Sequence, residues 1–295
     1  MASRNHHDPH GAGTPGNVTM EDVILDAIWT TRARLIALES DITSGQPEAI
    51  HQARVACRRL RSNLKIYAPW CTPGWVDPTR ELLGWYGHEL GAARDLDVMR
   101  QRLDDAGEHL GLNGKLAGIA ESLEVERQAA YRLAVASLQD DRYQQLQTRL
   151  SEAVAHPPLQ PAARNTSAKV LKKAIQHHWR KLRQRVEQLE AGSAQPTTAI
   201  HSIRIQAKRT RYAADADQTP EARAFAHQIA RIQDVLGNYH DATVLADWLS
   251  MPRRKAAFFA GRVTQHELEA AVALLNDFDN IWDEVSRKHW RKFLH

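Results

Sequence analysis

The chain is poor in cysteine. Its 295 residues include only Cys57 and Cys71, which are 14 positions apart and form no CxxC pair. Two such residues cannot form a disulfide framework or, by themselves, a zinc site. We therefore expect a chain that works in a reduced, cytoplasmic setting, without a metal or a cofactor.

Long apolar runs are also missing. No apolar segment approaches the roughly 18 residues of a membrane span, so we expect no membrane partner. The first 17 residues lack the apolar centre of a signal peptide and are rich in Gly, Pro and His. This composition predicts a disordered N-terminal tail over residues 1–17.

Acidic residues are scarce in particular stretches rather than in the whole chain. Lys and Arg total 39 against 35 for Asp and Glu. Residues 50–70 nevertheless contain five Lys or Arg residues and no acid, and no acid occurs between Glu152 and Glu187. The placement of charge is therefore more informative than its sum.

The remaining sequence has the pattern of an all-α fold. Apolar residues recur at three- and four-residue spacing, and alternating β-branched runs are few. Clusters of Gly, Pro, Asp and Ser predict helix ends that delimit about ten helices. The predicted breaks lie at 41–47, 69–78, 104–114, 156–161, 191–198 and 217–220.

The Pro-rich break at 156–161 predicts a joint between two halves of residues 18–295, because proline cannot continue a helix. The first half covers about 18–155 and the second about 162–295.

Both halves carry the same basic motif. "AIHQARVACRRLRS" at 49–62 and "AIHSIRIQAKRTRY" at 199–212 share one histidine and four Lys or Arg positions at a constant offset of 150 residues. A second match, at an offset of 146, joins "ELGAARDLDV" at 89–98 with "VLGNYHDATV" at 235–244. A unit of this length predicts a duplicated domain rather than a solenoid, whose repeats have about 20–50 residues.

The basic residues of each repeated helix share one face. At about 100° per residue they fall within roughly an 80° arc, opposite an apolar face. A third basic stripe lies in the acid-free segment of the second half. The three stripes consist of His51, Arg54, Arg58, Arg61 and Lys65; of His201, Arg204, Lys208 and Arg211; and of Lys169, Lys172, Lys173, Arg180 and Arg183.

An anionic partner explains these stripes best. Like charges three or four residues apart destabilise a helix by a few tenths of a kcal/mol per pair. One basic helix face is usually just solvated, but a repeated face predicts two walls of one cleft. For His51 and His201, ligand contact and hydrogen bonding near the helix start both stay open. Arg59 and Arg209 sit to the side, where ion pairs and rim contacts are alternatives.

We expect other residues in the repeats to have structural roles. Asp95 and Asp241 are expected to orient stripe arginines through charge-assisted hydrogen bonds. Gly91 and Gly237 are expected at close helix crossings, because glycine costs up to about 1 kcal/mol inside a helix. We expect four tryptophans in the core or at helix interfaces rather than as stacking platforms: Trp29, Trp85, Trp179 and Trp248.

These residues resemble the CHAD family, the conserved-histidine α-helical domain. Its pattern is H-x-x-R-[VIL]-x-x-[RK]-R-x-R in each of two halves, and both copies here fit it. "LGAARDLDV" is similar to that family's LG…RD-D element, and the resemblance covers about residues 18–292. It implies two pseudo-symmetric helical bundles around a central basic cavity, binding of inorganic polyphosphate, and location at polyphosphate granules.

The resemblance also implies which residues line the cavity. The assignment of Lys65 and of the stripe over 169–183 to the site depends on the helical arrangement instead. Arg94 is expected beside Asp95, while His240 stands at the equivalent position of the second copy and predicts an asymmetric or pH-sensitive contact. The residues implied are His51, Arg54, Arg58, Arg61, His201, Arg204, Lys208 and Arg211.

The first helix departs from the expected symmetry. By position, 20–38 should mirror 169–189, yet it contains Glu21, Asp22 and Asp26. We therefore expect the cavity to be more basic on its second-half side.

Three classes of function compete for this pattern. Polyphosphate is a flexible anion that Arg forks and Lys ammonium groups can hold, with an affinity that falls as salt rises. A nucleic-acid binder could use the same cleft, although no helix-turn-helix or zinc-finger motif is present. A phosphatase or triphosphate hydrolase would need clustered carboxylates for a metal, and the stripes contain none. No ExExK strand motif, P-loop or nucleophile elbow appears either, so we expect a polyphosphate-binding protein that is not an enzyme.

Overall fold

The computed structural model describes residues 18–112, 114–165, 167–192, 195–217, 219–251 and 257–294. The tail predicted for residues 1–17 lies outside these ranges. Within them the chain forms α-helices and short 3₁₀ segments and no β-strand, so the predicted all-α fold is confirmed. No helix in these ranges is long and apolar enough to cross a membrane.

The described residues form ten α-helices. The chain then ends in a 3₁₀ segment, Lys288–Leu294. The helices are α1 (Met20–Thr43), α2 (Pro47–Tyr67), α3 (Val76–Glu89), α4 (Gly91–His109), α5 (Ala117–Ala136), α6 (Asp141–Ala155), α7 (Ala168–Glu190), α8 (Pro196–Ala216), α9 (Pro220–Leu249) and α10 (Ala257–Val285).

Most helix ends lie where the sequence predicts them. Pro47, Pro196 and Pro220 are the first residues of their helices, where a missing N–H breaks no helical hydrogen bond. Breaks that the sequence did not predict separate α3 from α4, α5 from α6 and α9 from α10. The first of these falls at Leu90, whose backbone stays in the right-handed helical region with φ −75° and ψ −13°.

The order of helix contacts is the same at the start of each half. α1 packs on α2 and α7 packs on α8, and the next helix in each half, α3 or α9, packs on the second member of the pair. α2 also contacts α8, and α4 contacts α9 and α10. The two helices that carry the repeated motif therefore meet across the halves.

The apolar core has two clusters of buried side chains. The smaller cluster belongs mainly to α7, α8, α9 and the C-terminal part of α10. The larger cluster fills the first half but also takes in Leu245 and Trp248 of α9 and Val263 of α10. An ion pair of 2.6 Å between Arg102 of α4 and the buried Glu267 of α10 joins the same elements. Packing therefore crosses the predicted joint.

The four tryptophans have different environments. Trp179 and Trp248 are buried as predicted. Trp85 is half-buried and carries the Arg142 guanidinium over its ring, 4.3 Å from the centroid. Trp29 is 43% exposed and lies outside the core, but it lines a cavity between α1 and α2, the interface position that was the other alternative.

Candidate functional site

The site lies where α2 and α8 pass each other. Each helix buries its apolar face, with Ala53 and Cys57 of α2 and Ile203 and Ala207 of α8 fully enclosed. A hydrogen bond joins the two helices, because the Arg58 Nε donates to the hydroxyl of Tyr212 at 3.0 Å. The motif residues of the two halves thereby come together.

Four cations form the centre of the site, and we call them the central cluster. They are Arg54 and Arg58 of α2 and Arg204 and Lys208 of α8. Burial of its ammonium group is the largest cause that lowers the pKa of Lys208 to about 7. The charges of Arg204, Arg58 and Arg54 lower it further, and Asp241 partly opposes them. Two cations from each helix thus act on one another at close range.

The charged form of Arg204 is disfavoured in the same way. Burial lowers its pKa, and the positive charges of Arg58 and Arg54 add to that effect, while Asp241 and Asp95 oppose it. The Arg204 Nε is buried and has no hydrogen-bond partner within the described ranges. A buried N–H without a partner costs about 1–3 kcal/mol, so this donor adds to the cost of holding Arg204 in its position.

The two predicted orienting acids differ in how they act. Asp95 accepts a hydrogen bond of 2.7 Å from the Arg54 Nη1, which fixes that guanidinium as expected. The pKa values of Arg204, Lys208 and His240 are all lowered, and the negative charge of Asp241 partly opposes that lowering. No ion pair of Asp241 is found in the described part of the chain.

The two repeated glycines do not mark close helix crossings, which corrects our expectation. A Cβ atom at Gly91 would lie 3.7 Å from the Arg54 Nη2, so this glycine faces the guanidinium and not another helix backbone. A Cβ atom at Gly237 would have no neighbour within 4 Å among the described residues. Gly91 therefore leaves room for Arg54, and Gly237 has no equivalent contact.

Three histidines and Arg94 surround the central cluster. Burial lowers the pKa of His51, and the charge of Arg94 is the next cause. Burial also lowers the pKa of His240, with further contributions from Arg204 and His201. The rings of His201 and His240 are 6.3 Å apart. Arg94 thus neighbours His51 as His240 neighbours His201, at the positions that the second sequence match pairs.

Three further stripe residues lie outside the central cluster. The Arg61 guanidinium lies against α3, because a Cβ atom at Gly84 would be 3.0 Å from its Nε. The Arg211 Nε lies 3.6 Å from a carboxylate oxygen of Asp215. Lys65 is exposed and acts on His178. In the described structure, none of the three is among the charges that shift Lys208 or Arg204.

The stripe on α7 is also separate from the central cluster. Gln176, on the same face, donates a hydrogen bond to the carbonyl of Leu294 in the final 3₁₀ segment. Arg183 forms an ion pair of 3.0 Å with Glu187. Four members carry no such partner within the described ranges and are exposed or half-buried: Lys169, Lys172, Lys173 and Arg180. None of the five stripe residues is among the charges that shift Lys208 or Arg204 in the described structure.

Sequence reasoning missed two residues of the site. Tyr212 holds Arg58, and Asp215 pairs with Arg211 and lies 4.0 Å from Arg59. Tyr212 ends the second copy of the motif, where Ser62 ends the first. A hydroxyl at both positions was the signal that could have identified it.

Replacing Lys208 by Met should change how stability depends on pH. The folded protein holds the pKa of Lys208 at about 7, whereas its ordinary value is 10.5. The unfolded chain therefore binds more protons than the folded one between these values, and this residue makes the free energy of unfolding rise with pH. We expect a smaller rise in Lys208→Met than in the wild type, measured by urea unfolding between about pH 7 and pH 10.

The exposed Lys173 provides the control, since Lys173→Met removes a lysine outside the cluster. The assignment is contradicted if Lys208→Met keeps the wild-type pH profile of the unfolding free energy.

Similar folds occur in two solved structures. PptA from Streptomyces chartreusis superposes with a TM-score of 0.73 at 16% identity, covering 90% of this chain and 100% of that one. The CHAD domain from the plant Ricinus communis superposes with a TM-score of 0.72 at 24% identity, covering 92% of this chain and 93% of that one. Both likenesses concern the fold.

Two uncharacterized proteins of Mycobacterium tuberculosis are similar in sequence: MT2285 of strain CDC 1551 and Rv2226 of strain H37Rv. Each is 25% identical over 254 residues, which are 81% of this chain and 48% of the relative. The chain thus spans about half the length of these curated relatives. The family model described as CHAD domain matches residues 26–250. This match covers most of the sequence and includes both copies of the basic motif, so the chain belongs to the CHAD domain family.

Proposed function

We propose that this protein binds inorganic polyphosphate through the central cluster and does not hydrolyse it. The observation that carries the proposal is the burial of Lys208 among three arginines, which lowers its pKa to about 7. Holding these charges together costs free energy in the absence of an anion. A polyanion would offset that cost and would favour the protonated form of Lys208.

The arrangement of donors suits a flexible chain of phosphates. Tyr212 occupies only the Nε of Arg58, and Asp95 occupies only the Nη1 of Arg54. A guanidinium has five N–H donors, so both groups keep several for phosphate oxygens. The other nitrogens of Arg204 and the Lys208 ammonium group add further donors. None of these contacts needs a nucleobase, and for that reason polyphosphate is preferred to nucleic acid as the ligand.

A binding role without catalysis fits the two nearby carboxylates. Asp95 is engaged by Arg54, and Asp241 acts on Arg204 and Lys208 by charge. Both acids therefore serve to hold cations in place. A cytoplasmic location at polyphosphate granules follows if the ligand is the polymer stored there.

Reversing the charge of a cluster arginine should weaken binding. We expect Arg58→Glu and Arg204→Glu each to raise the Kd for long-chain polyphosphate at least tenfold, which is about 1.4 kcal/mol. Each change removes an attraction and places a repulsive carboxylate against the ligand. Calorimetry at two salt concentrations measures the effect, and the salt dependence should be weaker in the variants.

Arg132→Glu, on the exposed face of α5, is the matched control and should bind nearly as the wild type does. Unchanged affinity in both cluster variants would refute the proposed site. Tight binding of RNA or DNA that excess polyphosphate does not displace would favour a nucleic-acid ligand instead.

The purified protein should release no phosphate from polyphosphate in the presence of Mg²⁺ or Mn²⁺. The acids near the cluster are occupied in orienting cations, so we expect the polymer to keep its chain length over hours. Gel analysis of the polymer and a phosphate assay measure this. Phosphate release that disappears in Arg204→Glu would establish an enzyme.

A further inference from the structure

The crossing of α2 and α8 creates two equivalent ends beside the central cluster. At one end Arg59 of α2 lies 4.0 Å from Asp215 of α8. The offset of 150 residues between the motif copies relates this pair to Arg209 of α8 and Lys65 of α2. One end therefore joins a cation to an acid, and the other joins two cations.

At the end that contains Asp215, acidic side chains offset the cationic charge. The Asp215 carboxylate lies 3.6 Å from the Arg211 Nε and 4.0 Å from Arg59, so it offsets part of the charge of two cations of the motif. A cavity of about 220 Å³ lies here, and Asp26 of α1 and Asp215 are two of its lining residues. Arg59 lines the same cavity, so the two acids offset the charges of Arg59 and Arg211 and this end offers a polyanion no net attraction.

The end at Lys65 has the opposite character. Burial is the largest cause that lowers the pKa of His178 of α7, and the charges of His177, Arg209, Lys181 and Lys65 lower it further. Among the described residues, no acid opposes these effects on His178. We call this group of Lys65, His178, Lys181 and Arg209 the open end.

Hydrogen bonds from Gln206 fix the tautomer of His178. The buried Gln206 donates its amide nitrogen to the backbone carbonyl of His178 at 2.9 Å. The same nitrogen lies 3.2 Å from the His178 Nδ1. Because a carbonyl accepts only, the amide nitrogen must point this way, and Nδ1 is then an acceptor. The ring proton is on Nε2, so the neutral imidazole still offers an N–H to an anion.

The open end continues the basic stripe of α2. Lys65 is two helical turns, about 10 Å, beyond Arg58 on the same face of α2. A chain of phosphates held by Arg58 could therefore reach Lys65 without leaving a cationic surface. At the equivalent position of α8 the same path would reach the Asp215 carboxylate.

We propose that the polyphosphate path leaves the central cluster at one end only, through an anion subsite formed by Lys65, His178, Lys181 and Arg209. This inference rests on the proposed function and adds the direction in which the polymer extends. Asp215 determines the direction, because it offsets the charge of Arg59 and Arg211 at the other end.

Chain length distinguishes the subsite from the central cluster. Tripolyphosphate is short and should occupy the central cluster alone, whereas long-chain polyphosphate should also fill the open end. Lys65→Asp places at Lys65 the residue type found at Asp215. We expect this change to raise the Kd for long-chain polyphosphate about tenfold and to leave the Kd for tripolyphosphate within twofold.

Arg132→Asp has the same change of charge on α5 and controls for general electrostatics. The reciprocal variant Asp215→Lys should lower the Kd for long-chain polyphosphate severalfold, because it frees Arg59 and Arg211. The inference is overturned if Lys65→Asp weakens both ligands equally, or weakens the long chain no more than Arg132→Asp does. It is also overturned if the wild type binds both ligands with the same Kd.

Failure of the proposed function gives a different result, since the wild type would then bind neither phosphate ligand. Binding of both ligands with sensitivity to Arg58→Glu but not to Lys65→Asp would leave the central site intact and remove only the subsite.

Discussion

The mutual repulsion of half-buried cations is the constraint on which the site depends. Lys208 and three arginines are held where burial and like charge both disfavour the protonated ammonium. Such an arrangement persists only if the surrounding fold fixes it. Asp95, Asp241 and the Tyr212 hydroxyl supply part of the compensation. The rest must come from the burial of apolar surface behind the two helices.

The fold supplies that support from both halves of the chain. α2 and α8 each bury an apolar face in a different core cluster, so their basic faces meet without either helix giving up its packing. α10 contributes to both clusters, and the Arg102–Glu267 pair joins α4 to α10. The relative position of the two motif helices is thereby set by packing remote from the cations.

Much of the fold was predictable because the chain marks its helix ends chemically. Pro47, Pro196 and Pro220 start three helices. The break at Leu90 was not predicted, since its backbone hardly leaves the helical region and the nearby Gly84, Gly87 and Gly91 lie within a continuous helical pattern. The exposure of Trp29 depends on which neighbour covers α1, and helical periodicity alone does not contain that information.

The candidate site was predictable in its centre and not at its margins. The helical spacing of the basic residues and the repetition of the motif predicted Arg54, Arg58, Arg204 and Lys208 as members of one site. A helical wheel gives direction only about its own axis, so it grouped Arg61 with them although Arg61 lies against α3. The partner of Arg58 is Tyr212, 154 residues away. Such contacts follow from how helices cross, which no single helix encodes.

The two copies of the motif have diverged in charge where they meet. Lys65 and Asp215 occupy equivalent positions, and the first lies among cations while the second pairs with them. A repeated sequence pattern can therefore place different charges at its two equivalent positions. The same divergence separates Arg94 from His240 beside the central cluster.

A crystal structure of the protein with tripolyphosphate bound tests the central claim most directly. The account predicts phosphate oxygens within hydrogen-bonding distance of Arg54, Arg58, Arg204 and Lys208. Phosphate bound only on the exposed stripe of α7, with the central cluster unoccupied, would contradict it.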